Sequence, residues 1–167
     1  MKSLVGAASF AVLTMGVACT SADITTQPTG PSIPMVRLRA EPYSFASNSG
    51  FDKPARIVVR DAAAWRALWS QIYLGSAPVP APPAIDFSRE MVVVVALGSR
   101  STGGYGILLE DASEDGAGGT AITVRSISPG PGCVVTLAFT QPVDVARLPL
   151  RQGDVRFVER SQGFDCK

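Results

Sequence analysis

The feature that most constrains the fold is an apolar run that leads directly into a glycine-rich loop. Met91–Leu97 is continuously apolar, and residues 98–106 read GSRSTGGYG, with four glycines in nine positions. An uninterrupted apolar run is typical of a β-strand that is buried on both faces. Glycine adopts backbone conformations that a Cβ forbids. We therefore interpret residues 98–106, the glycine loop, as either a tight structural corner or a recognition surface.

The first eighteen residues are predicted to be an export signal and not part of the fold. Lys2 supplies a positive charge, Leu4–Val17 is uncharged and mostly apolar, and small residues precede Cys19. The apolar stretch is shorter than the about 20 residues that a permanent membrane span needs. Cleavage before Cys19 would leave this cysteine at the mature N-terminus, where we expect a lipid to be attached. Ordinary signal-peptidase cleavage, which would give a secreted soluble protein, is the alternative.

The remainder of the chain is predicted to be a tether and one domain. Residues 19–34 are rich in Thr, Ser, Pro and Gly, which predicts a flexible tether between a lipid anchor and a β-rich domain at 35–167. We expect an exported lipoprotein of the cell envelope, in the outer membrane or facing the periplasm. The chain has 15 basic and 14 acidic residues, a net charge of +1 and no block of like charge. This balance argues against nucleic acid as a partner.

The cysteine count favours lipidation together with one disulfide. Of three cysteines, assigning Cys19 to a lipid leaves Cys133 and Cys166, an even pair in an oxidising compartment. We predict a bridge between them, which would tie the C-terminal tail to the body of the domain. In the chain-entropy model, such a bridge stabilises the fold by roughly 3–4 kcal/mol.

Hydrophobic periodicity predicts a mainly β domain with one helix. Asp61 is a good helix N-cap, and Trp65, Leu68, Trp69 and Ile72 follow at a spacing that places them on one helical face. We expect that face to pack on a sheet. The predicted fold is an antiparallel sandwich or curved sheet of about eight short strands. The candidate strands are Met35–Ala40, Tyr43–Ser47, Arg56–Arg60, Met91–Leu97, Tyr105–Leu109, Ala121–Ile127, Cys133–Thr140, Val143–Leu148 and Val155–Glu159.

The residue inventory argues against catalysis. The chain contains no histidine, which removes the common nucleophilic triads and the commonest zinc ligand. The one acidic cluster stands beside Gly116–Gly119 and resembles a solvated hairpin; a pair of glycosidase carboxylates or a weak calcium loop are the alternatives. That cluster consists of Glu110, Asp111, Glu114 and Asp115. We predict no enzyme, no metal site, no cofactor and no small-molecule substrate.

The chain from about residue 50 onward resembles the PrcB C-terminal domain family, which is named after a lipoprotein subunit of a bacterial surface protease complex. The shared features are an apolar strand, a Gly, a short polar piece and Thr-Gly-Gly-Tyr, followed by later strands and a Pro. Here they fall on Gly98, Thr102, Gly103, Gly104, Tyr105 and Pro142. The resemblance extends over about residues 50–160, with its core at about 90–160. It implies an exported, non-catalytic assembly or stabilising subunit whose partner is a protein, with a protease as the candidate.

The glycine loop is the predicted binding site. Gly103 and Gly104 would allow a tight reversal after the buried strand, and the Thr102 hydroxyl would bond the loop backbone. Arg100 and Tyr105 would be its exposed contacts, because these residue types dominate interface hot spots. The alternative is that the loop is a fold corner only, which would leave a purely structural envelope lipoprotein.

A second resemblance supplies another hypothesis for function. Chagasin-type inhibitors of cysteine proteases are immunoglobulin-like sandwiches that use three loops at one edge. Similar segments occur here in the same order, at Ser101–Tyr105, Gly116–Gly119 and Thr140–Pro142. The last segment lacks the Arg before and the Trp after its proline, so direct plugging of a protease active site is the weaker hypothesis. Both hypotheses predict that these turns form one contact edge.

Overall fold

The structure, a computed structural model, describes residues 30–38, 48–116 and 118–166. Its elements in chain order are β1 (Val36–Arg37), β2 (Ala55–Val59), α1 (Ala62–Ile72), β3 (Glu90–Ala96), β4 (Gly106–Asp115), β5 (Gly119–Pro129), β6 (Val143–Pro149) and β7 (Val155–Phe164). One sheet has the order β1-β6-β3-β2 and the other the order β4-β5-β7. The predicted mainly β sandwich with one helix is confirmed. All pairs are antiparallel except β5 with β7, which run parallel.

Strand β3 is the centre of the molecule because both of its faces are covered. Val92 and Val94 face a cluster that includes the helix, whereas Val93 and Val95 face a cluster shared with the second sheet. All four valines are 0% exposed. The order of layers is therefore helix, four-stranded sheet, three-stranded sheet. This arrangement confirms that the continuous apolar run is a strand buried on both sides.

Helix α1 begins and packs as its sequence predicts. The Asp61 side chain accepts hydrogen bonds from the amides of Ala63 and Ala64, at 3.0 and 2.8 Å. The predicted apolar face is buried, and its two indoles donate to backbone carbonyls of the proline-rich segment that follows the helix. These bonds join Trp65 to Pro83 at 3.1 Å and Trp69 to Pro80 at 2.8 Å. The segment after the helix thus folds back over it.

Three strand predictions need correction. Cys133–Thr140 is not a strand, because after β5 the chain crosses between the sheets and finds no neighbouring strand with which to form a ladder. The strand after the glycine loop does not return beside β3; it joins the other sheet and pairs with β5. Of the predicted Met35–Ala40 only Val36–Arg37 is a strand among the described residues. Tyr43–Ser47, the leader and Cys19 lie outside the described residues.

A buried carboxylate that the sequence analysis missed joins the two sheets. Asp144 on β6 is 4% exposed and accepts a 2.8 Å hydrogen bond from the backbone amide of Leu109 on β4. The carbonyl of Leu109 accepts from Arg37 on β1 at 2.7 Å, and Arg37 also lies 3.5 Å from Asp144. The register of β4 against β5 shifts immediately after Leu109. Side chains of the four-stranded sheet therefore form hydrogen bonds with the backbone of β4 at the position where its pairing with β5 is irregular.

Candidate functional site

The glycine loop is the corner where the chain passes from one sheet to the other. It leaves the end of β3 and enters β4, so it lies at one end of the sandwich. Gly98 has φ of +78°, and a Cβ there would stand 2.9 Å from backbone atoms of Lys53 and Pro54. Gly104 has φ of +84°. Two of the four glycines are thus required by backbone conformation, as the sequence analysis expected of a corner.

Neighbouring segments hold the glycine loop on two sides. On one side the Ser99 amide donates to the Asp52 carbonyl at 3.1 Å. On the other side Arg100 and Thr140 exchange two backbone hydrogen bonds, at 2.8 and 3.0 Å, and the Gly103 amide donates to the Thr136 carbonyl at 2.9 Å. The loop is therefore part of a packed structure and does not project freely from the sandwich.

The two predicted contact residues are engaged with each other. The Arg100 guanidinium lies over the ring of Tyr105, 5.6 Å from its centroid, and donates to the Leu97 carbonyl at 3.1 Å. Both side chains are half-buried, and Tyr105 packs against the core between the sheets. The predicted role of the Thr102 hydroxyl is wrong: the hydrogen bond runs from the Thr140 hydroxyl to the Thr102 carbonyl, at 3.0 Å. The exposed residues of the loop are therefore Ser99, Ser101 and Gly104.

The exposed surface next to the glycine loop is apolar. Residues 130–142, the crossover segment, connect β5 of one sheet to β6 of the other. Within this segment Val134 is 100% exposed, Leu137 93% and Phe139 77%. We name these three residues the apolar strip. Their β propensity predicts a strand, and this prediction gives no indication that they are exposed. The feature of the sequence that points to their exposure is the position of this apolar segment between the turn at Ser128–Gly132 and Pro142.

The predicted disulfide is present at this end of the molecule. Cys133 and Cys166 are bonded, with their Cα atoms 4.8 Å apart. The Gly130 amide also donates to the Phe164 carbonyl at 2.8 Å. The start of the crossover segment is therefore fixed to the end of β7. This leaves the rest of the segment as a bridge that spans from the disulfide to the glycine loop.

The remaining predicted turn lies elsewhere. Gly116–Gly119 is at the far end of β4 from the glycine loop, ten strand residues away, or about 30 Å at the usual rise per residue. Thr140–Pro142, in contrast, is bonded to the loop as described. The prediction that all three segments form one contact edge is therefore wrong. The three-loop edge that a chagasin-type inhibitor needs is not assembled.

Three of the four carboxylates of the acidic cluster form ion pairs with arginines. Glu110 pairs with Arg125 at 3.1 Å, Asp115 pairs with Arg156 at 3.1 Å, and Glu114 pairs with Arg151. Within residues 30–38, 48–116 and 118–166, no group of three potential ligands stands close enough together to hold a metal ion. These carboxylates stabilise the sheet surface by pairing with arginines of neighbouring elements.

An open cleft lies at the opposite end of β3 from the glycine loop. It is lined by Pro34, Asp86, Arg89 and Arg147, and Arg147 donates to Glu90 at 2.8 Å. Hydrogen bonds from the hydroxyl and amide of Ser88 hold the pKa of Asp86 below its ordinary value. These contacts are those of a capped turn and an ion pair, and they do not form a catalytic arrangement. No helix in the described part of the chain is long and apolar enough to cross a membrane.

Fold and site together define a two-sheet β domain with one covering helix and a glycine-rich corner beside an exposed apolar segment. Residues 91–149, which run from β3 through the glycine loop to the end of β6, match the model of the family described as PrcB C-terminal. The match confirms the resemblance to the PrcB C-terminal family for this segment. It includes every residue of the glycine loop and of the crossover segment. No curated protein and no solved structure matched the chain.

Proposed function

We propose that this chain is an exported, non-catalytic protein-binding domain that serves as an assembly or stabilising subunit of an envelope protease complex. The observation on which the proposal depends is the family match over 91–149. The family takes its name from a subunit of such a complex. The matched segment also contains the end of the sandwich where the glycine loop and the apolar strip meet, which is the surface that we assign to the partner.

The composition supports a binding role over catalysis. The chain has no histidine, and three of the four carboxylates of the acidic cluster are held in ion pairs with arginines. General acid–base chemistry at neutral pH depends on groups with suitably tuned pKa values, most often histidine. A protein of this composition acts most readily through the shape and polarity of its surface.

Export is supported by the leader sequence and by the disulfide. Disulfides persist in oxidising compartments and are rare in the cytosol. The apolar leader and the cysteine at position 19 fit a lipoprotein. The predicted tether, 19–34, ends inside the domain, because Ile33 is buried in the cluster between the sheets and its amide donates to the Ala112 carbonyl. Replacing Cys19 by Ala in the full chain should move the protein from the membrane fraction to the soluble fraction. A protein that is soluble both with and without Cys19 would leave only the secreted form of the proposal, and a variant that stays in the membrane fraction would contradict a lipid anchor at Cys19.

Affinity purification from membranes tests the partner. The full chain with a C-terminal tag should co-purify a peptidase, and deletion of the chain should lower the amount of that peptidase. Ser101→Arg places a bulky charged group on the exposed part of the glycine loop and should abolish co-purification without changing Tm. Gly116→Arg is the matched control, because Gly116 is exposed at the far end of β4 and has nothing within 4 Å of a Cβ.

Three outcomes would contradict the proposal. Turnover of a substrate by the pure domain would make it an enzyme. Co-purification that survives Ser101→Arg would move the binding surface away from the glycine loop. A peptidase level that does not respond to deletion of the chain would favour the purely structural envelope lipoprotein.

A further inference from the structure

We propose that the apolar strip, Val134, Leu137 and Phe139, is the docking edge for an extended and uncharged segment of a partner polypeptide. This inference deepens the proposed function and rests on it for the existence of a partner. The contacts that support it are those of the crossover segment itself.

The first observation is the concentration of exposed apolar side chains. Of the seven large hydrophobic residues exposed in the described part of the chain, three belong to the apolar strip. A fourth, Phe164, is 37% exposed and lies at the same end, since its carbonyl accepts from the Gly130 amide. A contiguous apolar patch of a few hundred Å² is the kind of surface that marks interaction sites in soluble proteins.

The second observation is that the backbone of this segment is largely unpaired. Within the described part of the chain, the amides of residues 134–139 make no hydrogen bond, and the Thr136 carbonyl is the one backbone acceptor among them that is used. The residues are Val, Val, Thr, Leu, Ala and Phe, most of which favour strands. An extended peptide that lies alongside such a segment gains main-chain hydrogen bonds as well as side-chain contacts.

The third observation is the charge pattern, which indicates what chemistry the occupant has. Residues 126–143 contain no charged side chain. Of the nearby cations, Arg100 lies over Tyr105, and Arg125 is paired with Glu110. Surfaces that bind anionic lipid headgroups present clusters of free Lys and Arg beside their apolar residues, and the apolar strip does not. An uncharged peptide segment matches it better than a membrane.

The size of the strip argues against a second copy of this chain as the occupant. The strip consists of three side chains, those of Val134, Leu137 and Phe139, whereas a stable dimer buries roughly 800 Å² on each copy, about 20–30 residues a side.

A library of short random peptides displayed on phage is the probe for this site. Selection on the purified full chain should enrich uncharged peptides with apolar residues at alternate positions. The double variant Leu137→Ser with Phe139→Ser should weaken their binding by at least about tenfold. Leu74→Ser is the matched control, because Leu74 is 70% exposed on another part of the surface. Amides 134–139 should gain protection from hydrogen exchange when the peptide binds.

The inference is overturned by any of four results. Enrichment of charged peptides, or equal weakening by Leu74→Ser, would contradict an uncharged peptide site at the strip. Co-sedimentation with phosphatidylglycerol vesicles that depends on Leu137 and Phe139 would indicate a membrane as the occupant. A dimer that the double variant dissociates would indicate a second copy of the chain. Failure of the proposed function is recognised separately. Peptide binding at the strip without any co-purified peptidase would remove the protease partner and retain the docking edge. If Ser101→Arg loses the peptidase and the double variant still co-purifies it, the protease partner is retained and the docking edge is removed.

Discussion

At the scale of single residues, Asp144 is the side chain on which the contact between the sheets most depends. Its carboxylate accepts from the Leu109 amide and from its own neighbour Val145, and it faces the Arg37 guanidinium. A buried charge with several partners is costly to disrupt, because removal leaves the partners unsatisfied in a medium of low dielectric constant. The residue therefore fixes how β4 lies against β6.

We predict that Asp144→Ala lowers the free energy of unfolding by about 3 kcal/mol. Asp144→Asn should cost less, since an amide oxygen still accepts from Leu109 although the attraction to Arg37 is lost. Urea denaturation followed by tryptophan fluorescence measures both. Asp154→Ala is the control, because Asp154 is exposed and its side chain has no partner within the described residues. Equal losses for Asp144→Ala and Asp154→Ala would contradict the assignment.

The sequence contained a signal for Asp144 that periodicity could not interpret. A single acid inside the apolar run Val143–Leu148 indicates either an exposed position or a buried carboxylate with partners. Choosing between them requires knowing which strand lies across from β6. The partner on that strand, Leu109 of β4, is 35 residues earlier in the chain, and no local pattern specifies its position. Long-range pairing of this kind is where reasoning from one sequence stops.

At the scale of elements, predictions succeeded where the pattern is local and failed where the neighbour is distant. Helix α1 was predicted correctly because a cap and a four-residue apolar face are properties of one segment. The strand at Cys133–Thr140 was predicted from β propensity alone. Propensity describes how well residues fit a sheet but does not supply the neighbouring strand. The glycine pattern predicts a corner, but it does not indicate to which sheet the chain passes after that corner.

The glycine loop offers a direct test of the corner. We predict that Gly98→Ala lowers the free energy of unfolding by about 2 kcal/mol, because the positive φ is strained for alanine and the new Cβ would press on the backbone of Lys53 and Pro54. Gly116→Ala, with open space around its Cβ, should change stability by less than about 0.5 kcal/mol. Thermal and urea denaturation compare the two. Similar stabilities would mean that the corner tolerates a side chain and that its glycine is not required for folding.

At the scale of the whole molecule, the candidate site is assembled by two connections between the sheets. The glycine loop crosses from the four-stranded sheet to the three-stranded sheet, and the crossover segment returns in the other direction. They meet through the paired backbones of Arg100 and Thr140. The apolar strip is exposed because the crossover segment spans from one sheet to the other and is a strand of neither sheet. The site could not be predicted in full, since exposure here follows from topology and not from composition.

The disulfide fixes the other end of the crossover segment. Cys133 and Cys166 close a loop with a sequence separation of 33, for which chain entropy predicts about 3–4 kcal/mol of stabilisation. We predict that the double variant Cys133→Ala with Cys166→Ala loses about this much free energy of unfolding, measured by urea denaturation. The wild-type protein in reductant should lose a similar amount of free energy of unfolding. The disulfide holds Cys133 beside the end of β7, where the Gly130 amide donates to the Phe164 carbonyl, so the Gly130 amide should also exchange hydrogen faster in the variant. A variant as stable as wild type would mean that the sheets alone fix the crossover segment.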